Sequence, residues 1–325
     1  MRRLLALVPL SLLAGCSGVQ SMSEGAGLGS HLFNQLMLLF LVVTGIAYAL
    51  VMSFLTVAVV GRRDEPRDAS LRTLLIGWVA FILIGLILLT VASFFSDRTE
   101  ANAAADQTPL KVTVNASQWW WGIEYQNDDP SRVVRTANEL HLPVGRPVQL
   151  KLNANDVIHS LWVPALAGKQ DLIPGRDNDL RIVPTRVGHF RGQCAEFCGL
   201  QHAHMAFDVT VESPQAFAAW YAAQSKPAPE PADPGVKAGY DFFMTHACSS
   251  CHAIAGTPAN GSTGPDLTHV ASRKTIAAGT LPMSRGTLMG WIANPQGVKP
   301  GTRMPAVGMT PDELHAVASY LETLK

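Results

Sequence analysis

Charge is what this chain has least of. Only 15% of its 325 residues are Asp, Glu, Lys or Arg, against about 25% in ordinary soluble domains. The 25 basic and 25 acidic residues cancel, so no overall attraction to nucleic acid or an acidic polymer exists, and nucleic acid is not expected as a partner. Cysteine is scarce too, with five in the chain, few enough to assign one by one. Internal repeats are missing. What is abundant is apolar sequence, 48% of residues, which excludes disorder for most of the length. The length predicts about two domains plus extras.

The apolar excess lies in the first hundred residues. Residues 1–15 read as a secretory signal, with Arg2 and Arg3 before an apolar run from Leu4 to Leu13. The stretch ends Leu13-Ala14-Gly15-Cys16, which looks like a bacterial lipoprotein cleavage box and makes Cys16 the expected lipidation site. Two runs follow, about 32–60 and 71–95, each longer than the ~20 residues that cross a bilayer. The connector carries Arg62, Arg63 and Arg67, whereas residues 17–31 have no Lys or Arg. The positive-inside rule places the connector in the cytoplasm and everything after Phe95 outside. The signal demands the same orientation. Residues 16–106 are therefore expected to form a transmembrane hairpin with two membrane passes.

From about Thr108 to Val211 the pattern is short β-branched runs, 111–114, 133–142, 148–152, 180–183 and 207–211, broken by Pro, Gly and Asn. Residues 107–223 thus predict an all-β sandwich or barrel, with a short helix opening at Pro214. Residues 224–235 are a Pro/Ala linker, able to reach about 37 Å as extended polyproline. Residues 236–325 change character. A helix capped at Asp233-Pro234 and another at the capping box Thr310-Pro311-Asp312-Glu313 flank a loop-rich middle. That pattern predicts a small all-α domain.

The densest cluster of metal ligands is Cys194-Ala-Glu196-Phe-Cys198-Gly-Leu-Gln-His202-Ala-His204-Met205. Cys198, a histidine and Met205 have the thiolate, imidazole and thioether set of a copper loop, which needs one more histidine from elsewhere. His159, in Asn155-Asp-Val-Ile-His159-Ser-Leu-Trp162, supplies it. Cys194 is one thiolate too many for a single copper, and two thiolates can bridge a copper pair. A Cys194–Cys198 disulfide and a zinc site remain chemically open, although zinc leaves Met205 unexplained. Spacing alone does not choose between His202 and His204.

His159-Ser-Leu-Trp-Val-Pro, Asp171-Leu-Ile-Pro-Gly-Arg176 and the Gly192–Met205 run resemble subunit 2 of haem–copper cytochrome c oxidases, over about residues 32 to 221. The resemblance implies a cupredoxin fold holding a dinuclear CuA centre of two copper ions. Its implied ligands are His159, Cys194, Cys198, His202, Met205 and the backbone carbonyl of Glu196. It also implies a magnesium site at the Glu196 side chain, shared with subunit 1. Of Trp119-Trp120-Trp121, the resemblance makes Trp119 the exposed point at which electrons enter, while Trp121 reads as packing. One departure stands out. The family often opens its second membrane helix with Glu-x-x-Trp-Thr-x-x-Pro, whereas this chain has Ser70-Leu-Arg-Thr-Leu-Leu-Ile-Gly-Trp78. Glu65 and Asp68 are misplaced for that pattern and receive no proton role.

Cys248-Ser-Ser-Cys251-His252 is a c-type haem attachment motif. Cys248 and Cys251 would tether one covalent haem and His252 would ligate its iron. The sixth ligand lies among Met283, Met289, Met304 and Met309, and the loop Pro300-Gly-Thr-Arg-Met304-Pro305 favours Met304. Residues 236–325 resemble the cytochrome c domain fused to subunit 2 in caa-type oxidases, which supports Met304. Together the two resemblances imply an electron-transfer subunit of a proton-translocating cytochrome-c oxidase, in which oxygen is reduced by the partner subunit. Its expected partners are haem–copper subunit 1, other oxidase subunits, membrane lipid, and an upstream cytochrome c or other donor. The expected location is the bacterial inner membrane, with both metal domains on the periplasmic face. The rivals are the same wiring serving a nitric oxide reductase, or a membrane-anchored shuttle without a catalytic partner.

Overall fold

A computed structural model describes residues 18–61, 68–103 and 108–325. Cys16, the signal segment and the arginine-bearing connector, with Glu65, lie outside the described residues, as does the Asp68 side chain.

Two long helices form first, α1 (Leu28–Val60) and α2 (Asp68–Ala103). Both are long and apolar enough to cross a membrane. At 1.5 Å per residue, 33 and 36 residues give about 50 and 54 Å, more than the ~30 Å hydrocarbon core. Each helix therefore extends past the expected apolar run, α1 from Leu28 and α2 as far as Ala103. Leu38, Leu41, Leu55, Leu75, Ile84 and Ile87 all face outward, as lipid-facing residues do. Gly29 abuts Glu100 at the outer end of the hairpin, and Gly85 packs on Val43 midway along it. The two helices are thus antiparallel.

The outer end is fastened to the β-domain. Ser30 is fully buried, and its hydroxyl donates to Ala165 O at 2.7 Å. Upstream, Ala26 N donates to Ala165 O at 2.7 Å, and Arg191 N donates to Val19 O at 2.9 Å. The segment before α1 is therefore a strap across the β-domain. The outer start of α1 thus meets that domain.

The β-domain is a two-sheet sandwich. Its strands are β1 (Leu110–Ser117), β2 (Trp120–Tyr125), β3 (Val134–Ala137), β4 (Glu139–Pro143), β5 (Val148–Ala154), β6 (His159–Trp162), β7 (Gln170–Leu172), β8 (Asn178–Ile182), β9 (Gly188–Cys194) and β10 (Ala206–Glu212). One sheet runs β3-β2-β1-β5-β8 and the other β4-β10-β9-β6-β7. Alternate residues of β1 and β10 point inward, so Val112, Val114, Phe207 and Val209 meet Leu150, Leu161 and Trp121 in one core. The run 133–142, expected as one strand, is split at Asn138. That residue adopts φ 59°, a left-handed conformation Asn tolerates well, and its side chain accepts from Trp121 N at 2.9 Å. The chain leaves one sheet there and joins the other.

Helix α3 (Pro214–Gln224) follows, capped by Ser213. The C-terminal domain comprises α4 (Pro234–Thr245), α5 (Cys248–Cys251), α6 (Arg285–Ala293), α7 (Pro295–Val298) and α8 (Pro311–Thr323). The capping box at Thr310 and Glu313 forms as expected. Helices α4 and α8 cross at Gly239, where a Cβ would collide with the Ala316 carbonyl. Phe243 meets Tyr320 edge-on beside that crossing, at 6.1 Å between ring centroids. Glycine is required there for the close approach.

The linker is not a free tether. Lys226 O accepts from His269 Nε2 at 3.0 Å, and Ala228 N donates to Ala255 O at 2.9 Å. Its first residues are pinned to the C-terminal domain, which shortens the slack the composition had implied.

Candidate metal centres and their interface

Strand pairing builds the first centre. β9 ends at Cys194 and β10 begins at Ala206, so the ligand-rich run is the connection between them. Cys194 N donates to Met205 O at 2.9 Å, which closes the loop on itself. β6 pairs with β9, setting Leu161 opposite Cys194 and bringing His159 to the same end of the sandwich.

The donors converge. Cys194 Sγ and Cys198 Sγ are 3.7 Å apart, too far for a disulfide bond, whose S–S length is about 2.05 Å. His159 Nδ1 lies 3.8 Å from Cys194 Sγ, and His202 Nδ1 lies 3.6 Å from Cys198 Sγ. Met205 Sδ is 3.8 Å from Cys198 Sγ, and Glu196 O is 3.2 Å from Cys194 Sγ. His159, Cys194, Cys198 and Met205 are all buried. Two central thiols, a histidine on each, a thioether on one and a carbonyl on the other make a donor set with two halves. A single tetrahedral zinc would use four of these six donors. A pair of copper ions would use them all, and soft sulfur donors suit copper.

The two candidate histidines differ in position. His202 faces the cluster, whereas His204 Nδ1 is paired with Gln201 Oε1 at 2.8 Å. The Glu196 carboxylate points away, 3.9 Å from Lys169 Nζ, so its carbonyl and its side chain face different surroundings.

Electrostatics favours a cation between the sulfurs. The shared hydrogen bond holds the Cys194 thiol far below its ordinary range, against the opposing effect of burial. The same hydrogen bond, with burial, pushes Cys198 up. Two thiolates this close form together only when metal charge lies between them.

Sequence reasoning overlooked Asp156. Its Oδ1 lies 2.9 Å from His159 Nε2, and its Oδ2 accepts from Gln118 N at 2.7 Å. Burial pushes this carboxyl up, but the Gln118 N–H, the His159 ring and the Val157 N–H outweigh it and hold the pKa below the usual range. A carboxylate on the far ring nitrogen fixes the tautomer that turns Nδ1 toward metal. An acid three residues before a ligand histidine was the available signal. Asp156→Ala is expected to lower copper affinity by about 10–100-fold, the usual cost of such a partner, with the haem spectrum unchanged. Competitive titration with a chelator measures it.

Trp121 is fully buried, 5.3 Å from Phe207 between ring centroids, and is core as expected. Trp119 occupies the β1–β2 turn, and its Nε1 donates to Cys198 O at 3.0 Å. It is not exposed as the resemblance implied. Only 8% of it meets solvent, because the C-terminal domain lies on it. A Cβ at Gly301 would sit 3.5 Å from Trp119 Cη2 and 3.1 Å from Leu200 Cδ2.

The second centre is organised around His252. Its Nδ1 is paired with Pro265 O at 2.7 Å, which leaves Nε2 free for iron. Burial holds its pKa below the ordinary value, so the ring is the neutral form a metal needs. Cys248 and Cys251 are free thiols on one helical turn beside it. Gly264 touches the His252 ring, and Gly261 touches the Cys251 backbone. These residues fit a haem tethered through two thioethers. Met283 and Met309 pack on the domain core, whereas Met304 stands on the loop after α7, its carbonyl accepting from Gln296 Nε2 at 3.3 Å.

A β-sandwich with a two-thiolate, two-histidine cluster, strapped to two apolar helices and joined to a Cys-x-x-Cys-His helical domain, defines a membrane-anchored copper and haem electron carrier. Residues 127–213 match the family described as cytochrome c oxidase subunit II, periplasmic domain, and residues 236–325 match cytochrome c. Cytochrome c oxidase subunit 2 of Alkalihalophilus pseudofirmus is 31% identical over 337 residues, covering 98% of this chain and 96% of that protein. The subunit 2 of Bacillus sp. strain PS3 is 32% identical, covering 76% of this chain and 73% of the relative. The solved periplasmic domain of subunit II of cytochrome oxidase of Bradyrhizobium japonicum is similar at 28% identity. It covers 36% of this chain and 94% of that one, with a TM-score of 0.34. The chain belongs to the cytochrome c oxidase subunit 2 family and carries a fused cytochrome c domain.

Proposed function

We propose that this chain is the electron-accepting subunit of a caa-type cytochrome c oxidase. It takes electrons at its own covalent haem and delivers them through a dinuclear CuA centre to a haem–copper subunit that reduces oxygen to water with proton translocation. Bound copper and haem supply one-electron chemistry. The protein's own part is to hold and orient them. Cys248 and Cys251 tether the haem, with His252 and Met304 as axial ligands. His159, Cys194, Cys198, His202, Met205 and the Glu196 carbonyl hold two copper ions. The Glu196 carboxylate, turned away from that cluster toward Lys169, would join a magnesium site at the subunit 1 face.

One observation carries this reading. The loop leading to Met304 is seated across the Trp119 turn, and Trp119 is itself hydrogen-bonded to the carbonyl of Cys198. The Met304 loop thus touches the residue that is bonded to the copper loop, which supports transfer between the two proposed centres. The domains occupy the periplasmic face of a bacterial inner membrane, anchored by α1, α2 and a lipid on Cys16. The external donor is a cytochrome c or another small redox partner.

The test is oxygen uptake by the chain purified in mild detergent with whatever remains bound, driven by reduced cytochrome c or an artificial donor. Cyanide-sensitive uptake is expected. Consumption of nitric oxide without oxygen uptake would assign the same wiring to a nitric oxide reductase, and no consumption of either would leave an anchored shuttle.

A further inference from the structure

Lys299 is the one buried lysine among the described residues, with 2% of its surface exposed. It ends α7, five residues before Met304. Its ammonium reaches three backbone carbonyls, Trp119 O at 2.8 Å, His204 O at 2.8 Å and Ala277 O at 3.1 Å. Those carbonyls come from three places: the β1–β2 turn, the copper loop between His202 and Met205, and the cytochrome domain itself. Three donors meet three acceptors, so the group is satisfied without a counter-ion. Among the described residues no carboxylate pairs with it.

Burying an ammonium is costly, and burial pulls this one's pKa down to about 7. A lysine serving solubility stays in water. This one is held where the two domains meet. The residues after it are fastened to the same surface. Pro300 O accepts from Gln201 Nε2 at 2.8 Å, and Gly301, at φ 84°, lies against Leu200 and Trp119. Arg303 Nη2 pairs with Asp156 Oδ2 at 3.3 Å, and Asp156 is the carboxylate that orients His159. Residues 299–303 therefore clip the Met304 loop to Trp119, Gln201, His204 and Asp156 in turn. Within that clip Lys299 alone bonds both the Trp119 turn and the copper loop.

We propose that Lys299 is the positioning residue that locks the cytochrome domain over the copper loop in the pose from which electrons cross. It bonds backbone carbonyls and acts by holding the Met304 loop against the Trp119 turn. The proposal rests on the reading that electrons pass from this chain's haem to its copper. Losing the lock lengthens or loosens the gap between the centres and leaves each centre intact.

The experiment compares wild type with Lys299→Met in the purified, fully loaded oxidase. An electron is photoinjected into the haem from a bound ruthenium complex, and the appearance of reduced copper is timed. Copper reduction by a small diffusing reductant is timed separately. Haem and copper spectra check the centres, and hydrogen exchange over residues 299–304 and the Trp119 turn reports docking without reference to turnover. The expected result is haem-to-copper transfer slowed at least about tenfold, faster exchange at the clip, and unchanged spectra and direct copper reduction. Transfer as fast as in wild type overturns the role of Lys299 alone. Absence of transfer in wild type overturns the functional reading and the proposal with it. If Lys299→Met loses a cofactor, Lys299→Gln, which keeps two donor hydrogens, takes its place in the comparison. Cofactor loss from both variants makes Lys299 a folding residue and also overturns the proposal.

Discussion

Cys194→Ser is expected to abolish the dinuclear centre. The two thiols lie 3.7 Å apart at the middle of the donor set, so each would serve both ions of the proposed copper pair. A serine hydroxyl is a hard, weakly acidic donor and does not replace a thiolate toward copper. Losing an outer partner such as Asp156 already costs about 10–100-fold in affinity, and losing a shared thiolate costs more. Copper content is expected to fall from two per chain to one or none, with no unpaired electron shared between two nuclei. Oxygen uptake driven through the haem should fall with it. The haem spectrum should be unaffected, because Cys248, Cys251 and His252 belong to another domain with its own core. Metal analysis and electron paramagnetic resonance on the purified variant decide it. Retention of two coupled coppers would remove Cys194 from the site.

Met304→His tests the second centre. A thioether sixth ligand holds the haem potential above that of a bis-histidine iron, within the ~0.8 V range that axial ligands span. A drop on the order of a few hundred millivolts is expected, with the covalent haem retained. Each ~59 mV costs a factor of ten in the one-electron equilibrium with a given donor. A high-potential donor should therefore lose its ability to reduce the haem by several powers of ten. Potentiometry on the variant measures this. An unchanged potential would move the ligand to Met283, Met289 or Met309, of which Met283 and Met309 are engaged with the core.

Much of this was legible because the chemistry is local in sequence. Cys194 to Met205 is one connection between two strands, and Cys248-Ser-Ser-Cys251-His252 is one helical turn and its cap. The hairpin was legible because apolar runs without charge have few other uses. What escaped detection depends on contacts between distant segments. The break at Asn138 is fixed by Trp121 N across the sandwich, and an alternating run shows no sign of changing sheets. The covering of Trp119 and the burial of Lys299 arise only when residues 180 positions apart meet. A lysine between Val298 and Pro300 looks like solvated loop until the partner surface is present. The linker's composition pointed to an extended tether, whereas the anchoring of Lys226 and Ala228 depends on His269 and Ala255.

On the proposed function, one chain carries a copper pair and a haem as successive redox centres. Copper and covalent haem iron are therefore to be counted in the purified chain, alongside its paramagnetic resonance spectrum. Two coppers per haem iron, with one electron delocalised over both copper nuclei, is the predicted result. One copper per iron, or zinc in place of copper, would contradict it.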